Sequence, residues 1–174
     1  MRGPGTMRPL RAILTLSAWA LAAPALAQEL AQQADQAALS AKDRTTIETC
    51  LAGQQTPGAR RACIGRVSGP CQATPDGPST VGMMACFDRE NTAWDGLLNR
   101  AYREAMTAFD EEGKAYLKGV QQTWLKFRAQ ACEWPGRVYP GGTIRGPLSG
   151  ACFMGQTALR ALDLMEIRDS LEQR

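Results

Sequence analysis

Six cysteines, Cys50, Cys63, Cys71, Cys86, Cys132 and Cys152, are the residues here whose chemistry is easiest to read. An even number suits structural disulfides wherever the chain meets an oxidising compartment. Zinc is the competing use of cysteine, but the sequence has no histidine and no C-x-x-C pair, so neither metal nor cofactor is expected. The missing histidine also removes the commonest general base and the serine or cysteine triads built on it. Of the acids, Asp110, Glu111 and Glu112 read as a solvated turn, and Glu133 beside Trp134 has no second acid near it in sequence. No enzyme is expected. From Trp134 to Leu162 there is no acid at all, while Arg137, Arg145 and Arg160 are present. Guanidinium groups pair in bidentate fashion with carboxylates. With Tyr139, Arg137 and Arg145 are therefore the candidate partner-binding residues.

The N-terminus directs where this chemistry takes place. Arg2, Arg8 and Arg11 precede an apolar run from Ile13 to Ala23, and Ala25-Leu26-Ala27 has the small-x-small form of a signal-peptidase site. Residues 1–27 are predicted to be a cleaved signal peptide. The run is well short of the roughly 20 residues that span a bilayer, and no cysteine stands at the cleavage point to take a lipid. A periplasmic or secreted product with no membrane attachment follows. Cleavage removes three arginines and no acid, turning 20 basic against 17 acidic residues into 17 of each. A near-neutral product is a poor match for nucleic acid, which requires a clustered basic surface.

Apolar spacing then points to helices and to no strand of any length. The Ala/Gln-rich stretch from Gln28 to Ala38 suits a frayed helix or a disordered tail. Ser40 and Asp43 have capping-box spacing ahead of Ile47, Cys50 and Leu51, and a second short piece spans Ala59 to Val67. After the turn Pro75-Asp76-Gly77-Pro78, Thr80 can cap a long helix whose apolar stripe is Phe87, Trp94, Leu98, Ala101, Ala105 and Phe109. A second stripe, Tyr116, Val120, Trp124, Phe127, Ala131 and Trp134, predicts an antiparallel hairpin partner. Residues 135–149 hold four glycines and three prolines and are predicted irregular, with Ser149 capping a last helix that turns Leu159, Leu162, Ile167 and Leu171 inward. The fold class is all-α: an antiparallel helical hairpin, a third packed helix, and a small N-terminal helical unit over residues 28–70 ahead of the domain 71–174.

This layout selects the cysteine pairs. Cys132 closes one helix and Cys152 opens the next, so antiparallel packing brings the two thiols to the same end. Cys50 with Cys63 joins the two short helices, and Cys71 with Cys86 clips the Pro/Gly turn to the long helix. Each closure is worth on the order of 3 kcal/mol through unfolded-state entropy.

The run MACFDRENTAWDGLLNRAY from Met84 to Tyr102, a Q-x-x-W-x-x-x-R-x-x-x-C element from Gln121, with Gln122 as an alternative fit, to Cys132, a Gly-rich loop, and a cysteine followed by arginine and leucines together resemble the LprI-type lysozyme inhibitor family. The resemblance extends over about Cys71 to Leu171. It implies a secreted or periplasmic helical protein whose partner is a lysozyme. The residues carrying it are Cys86, Trp94, Asp95, Leu98, Asn99, Tyr102, Trp124, Arg128, Cys132, Cys152 and Arg160. Trp94, Leu98 and Trp124 fall on the helix stripes and read as core, while Asp95, Asn99 and Arg128 read as an inter-helix polar network.

Two functions fit these expectations. An inhibitor would place an arginine of the loop 135–149 among the two carboxylates of a lysozyme cleft, with the disulfide ordering the loop beforehand. A non-catalytic envelope structural or adaptor protein would instead display an exposed aromatic or Met-rich patch, for which Met83, Met84, Met154 and Met165 are candidates.

Overall fold

Residues 22–173 are described by a computed structural model. The arginines and most of the apolar run of the expected signal peptide, through Leu21, lie outside the described residues. Helix α1 spans Ala22–Ala52. Its part up to Ala37 forms a unit of its own, helical and with its described side chains exposed from Gln28 onward. Alanine and glutamine favour helix strongly enough to carry α1 through Ser40, which lies inside the helix and does not cap it.

Residues from Ala38 onward form the second unit. After α1 come a 3-10 turn at Ala59–Cys63 and the short α2 at Ser68–Gln72. The long α3 spans Thr80–Ala108, α4 Glu111–Ala131, α5 Trp134–Val138 and α6 Arg145–Glu172. The described residues are helical with no strand, so the fold is all-α. Ser79, one residue before the expected cap, starts α3 by accepting the Gly82 N–H at 2.9 Å. The Pro75–Pro78 turn folds so tightly onto this first turn that a Cβ on Gly82 would collide with the Asp76 carbonyl. Asp110 caps α4 by accepting the Gly113 N–H at 2.8 Å, and Glu111 and Glu112 occupy the first turn, where the helix dipole favours acids.

The principal partner of α3 is α6. Met84 sits over Gly146, Phe87 over Gly150, and Arg168 reaches Glu104, so contacts advance in the same direction along both helices and the pair is parallel. Small residues make the close approach possible: Ala93, Ala101 and Ala105 from α3 and Ala158 and Ala161 from α6 are all buried. Trp94, Leu97, Leu117 and Leu164 fill the centre. Helix α4 follows a two-residue extended link, Phe109 and Asp110, and runs back antiparallel to both.

The phase of α4 differs from expectation. Leu117 is its buried residue, with Gln121, Trp124 and Arg128 following along the inward edge, whereas Tyr116 is 68% and Phe127 54% exposed. Because α3 and α6 already satisfy each other's apolar faces, α4 meets them along a narrow seam that includes polar residues. Periodicity showed that α4 is a helix but not which way it faces.

The stretch 135–149 is also more regular than its composition suggests. Pro135 lies at the start of α5 and Pro147 in the first turn of α6, positions where a missing N–H breaks no helical hydrogen bond. Helix α6 therefore begins four residues before Ser149, whose hydroxyl donates to the Cys132 carbonyl at 3.0 Å. Only Tyr139 to Ile144 remains irregular.

The bridges are Cys50–Cys63, Cys71–Cys86 and Cys132–Cys152, with Cα separations of 5.7, 5.6 and 5.5 Å. Glu90 fastens the connection before α2 to α3. Its two carboxylate oxygens accept the N–H groups of Gly65, Val67 and Ser68 at 2.6, 3.1 and 2.7 Å, and the indole N–H of Trp94 at 3.0 Å.

Candidate partner-binding site

The candidate surface is built from its covalent base upward. The Cys132–Cys152 bridge joins the end of α4 to the first turns of α6, and between these points the chain makes α5 and a short turn. Gly141 takes a positive φ of 77°, and the Gly142 N–H bonds the Tyr139 carbonyl at 3.0 Å, so the turn has a defined shape. Above the base lies an open cleft of about 670 Å³ lined by Glu133, Arg137, Arg145, Ser149 and Phe153, among others.

Arg137 on α5 and Arg145 at the head of α6 thus face one cleft from two elements. Both are exposed, and neither forms an ion pair among the described residues. Glu133 shares the cleft, so the site is not purely basic. Tyr139 is exposed outside the lining, its ring 6.4 Å from that of Trp134 at a 58° tilt. Trp134, expected on the buried stripe of α4, is exposed here with Val138 and Ile144. Trp, Tyr and Arg are the residues that most often anchor protein interfaces. Sequence reasoning missed Trp134 because it extended the α4 period across the break at Cys132.

The polar residues Asp95, Asn99 and Arg128 do not come together. Asn99 donates to Asp95 at 2.8 Å within α3, and that pair remains on its own helix. Arg128 Nη1 instead donates to Thr157 Oγ1 of α6 at 2.8 Å, and that hydroxyl lies 2.8 Å from Asn91 Oδ1 of α3. The three-helix junction therefore consists of Asn91, Arg128 and Thr157. Two of these residues carried no sequence signal beyond being polar. The Arg128 guanidinium also stacks over Trp124 at 4.7 Å and Phe153 at 5.6 Å.

Further along the α4–α6 seam, Arg160 Nε donates to Gln121 Oε1 at 2.9 Å. Burial lowers the Arg160 pKa, against the smaller opposing pull of Asp163 and Tyr116. Its Nη2 and the Nε of Arg128 are buried with no hydrogen-bond partner. Among the described residues no group of acids and cysteines is placed to hold a metal, and no helix is long and apolar enough to cross a membrane.

Gln121, Trp124, Arg128, Cys132, Cys152 and Arg160 thus belong to one seam, although they come from separate stretches of sequence. Comparison with known families bears on the same region: the family described as lysozyme inhibitor LprI matches residues 71–164, over half the chain. The chain belongs to the LprI family. An uncharacterized protein of Rhizobium meliloti (strain 1021) is similar to it, 32% identical over 117 residues, an alignment covering 58% of this chain and 84% of that relative. No solved structure matches the chain. The LprI match begins at Cys71 and so takes in the Cys71–Cys86 and Cys132–Cys152 bridges, the core of α3 and most of α6. Glu90 lies inside it, while its backbone partners Gly65, Val67 and Ser68 lie before it.

Proposed function

We propose that this LprI-family chain is an exported, non-catalytic inhibitor that binds a lysozyme cleft through the surface from Trp134 to Arg145. The observation that carries the reading is the pair of unpaired, exposed arginines, Arg137 and Arg145, lining one cleft beside exposed Trp134 and Tyr139 on a disulfide-closed base. A lysozyme cleft works through one protonated and one ionised carboxyl group, so a guanidinium entering it meets a matching charge. A base already ordered by the bridge limits the entropy lost on binding. Export rests on the signal-peptide pattern of residues 1–27 and on three disulfides. In this reading residues 71–174 carry the inhibitor domain, and residues 38–70 brace it through Glu90 and the ion pairs Arg60–Asp169, Arg89–Asp43 and Arg100–Glu48.

The test is an inhibition assay. The oxidised mature chain is mixed with c-type and g-type lysozymes, and residual muramidase activity is measured. Inhibition of at least one type is expected. Full activity of both at micromolar excess would sink the proposal.

A structural or adaptor role in the envelope is the second reading. It gains support from the aromatic face of α4, where Tyr116 and Phe127 stand in solvent, while the four candidate methionines form no exposed cluster: Met84 is exposed, Met83 is half-buried, and Met154 and Met165 are buried.

A further inference from the structure

The outer face of α4 carries a second concavity, separate from the cleft beneath α5. It is an open groove of about 710 Å³, lined on α4 by Tyr116, Gly119, Val120, Thr123 and Phe127 and on α6 by Arg160. Among the described residues nothing covers Tyr116 and Phe127, and an exposed patch of this kind marks an interaction site more often than it marks chance.

Arg160 indicates what the groove would hold. The residue is 8% exposed, Nε is satisfied by Gln121, and Nη2 is buried without a partner. Asp163 lies close enough to influence it electrostatically, yet forms no ion pair with it. Arg128, stacked on Trp124 at the next level of the seam, has no acidic partner among the described residues either. Buried donors are normally paired, and the acceptor that fits a guanidinium best is a carboxylate.

We propose that the α4–α6 groove binds an acidic peptide segment of a protein partner, seating one carboxylate on Arg160 and the apolar residues beside it on Tyr116 and Phe127. Charge complementarity selects the acid. The open shape selects a polypeptide, because a small ligand gains affinity by enclosure whereas a protein segment brings its own cover over a central anchor. Seating the carboxylate on Nη2 requires the side chains over Arg160 to move aside, because that atom is buried.

The test follows the indole N–H of Trp124 and the Nε–H of Arg160 by NMR in the oxidised full chain during titration with acetyl-Ser-Leu-Glu-Phe-Ser-amide. Saturable shifts are expected, with binding at least about tenfold tighter than for the same peptide carrying Gln in place of Glu. Gly119→Leu should abolish the shifts while leaving the fold intact, because a Cβ at that position meets nothing within 4 Å. Arg160→Lys should weaken binding by about tenfold, since one ammonium cannot reproduce the planar fork. Equal binding of the Glu and Gln peptides, or shifts that persist in Gly119→Leu, would overturn the proposal. Binding of decanoate without binding of the peptide would reassign the groove to a small amphipathic acid and equally overturn it.

Discussion

Glu90 accepts the indole N–H of Trp94 at 3.0 Å one turn along α3, and neither side chain reaches solvent. A carboxylate is tolerated there because three backbone N–H groups saturate its remaining acceptor capacity. Glu90→Ala would leave four donors unpaired at once. The expected loss is about 3 to 5 kcal/mol in urea unfolding of the oxidised protein. A loss below about 1 kcal/mol would show that these contacts do not hold the Gly65–Ser68 connection in place.

Arg137→Ala and Arg145→Ala test the proposed inhibitory surface. Each should weaken lysozyme inhibition by about tenfold or more, the usual scale for an interface arginine. Both residues are exposed and form no ion pair among the described residues, so the unfolding midpoint should not move. Unchanged potency in both variants would place the inhibitory contact elsewhere.

Replacing Cys132 and Cys152 together by serine separates ordering from chemistry. Opening a loop of sequence separation 20 should cost about 3 kcal/mol. Inhibition should fall as well, even at temperatures where the variant is fully folded, because the arginines lose their shared base. Amide exchange between Trp134 and Arg145 should accelerate relative to α3. Equal exchange in the two proteins would mean that α5 is ordered without the bridge.

Asp169 provides a pH test. Burial raises its pKa, but hydrogen bonds from Arg168 and Arg60 together outweigh burial and hold it below the ordinary value of 3.8. A carboxyl with a depressed folded-state pKa contributes stability that is complete above its unfolded pKa and is lost as pH falls through the folded one. Asp169→Asn should therefore destabilise clearly near neutral pH and progressively less below pH 3.8. Denaturant midpoints measured at both ends give the answer. A gap between the two proteins that stays constant across the range would contradict the assignment.

What the sequence could reveal followed from how local each signal was. The α3 stripe through Trp94, Leu98, Ala101 and Ala105 is repeated often enough to give both helix and facing, and those residues are buried. The α4 stripe is equally periodic, yet its facing depends on which neighbour occupies most of the apolar face of α3, and that neighbour is α6. Glu90 gave no sign, because its partners are backbone amides more than twenty residues earlier, and amides look alike in every sequence. Proline in 135–149 signalled irregularity where it marked helix starts, a distinction that rests on the residues around each proline. Trp134, Arg137, Tyr139 and Arg145 were visible individually, but their grouping around one cleft depends on α5, which the composition of this stretch did not suggest.

The three bridges pair the six cysteines off in chain order, first with second, third with fourth and fifth with sixth, at separations of 13, 15 and 20 residues. A polypeptide delivered N-terminus first into an oxidant would thus present the correct partner of each unpaired thiol as the next thiol to arrive after it. No bridge has to wait for a distant segment, and none encloses another. If the chain is exported as proposed, pairing can proceed in step with translocation, and the demand for a disulfide isomerase to undo wrong pairs is correspondingly small.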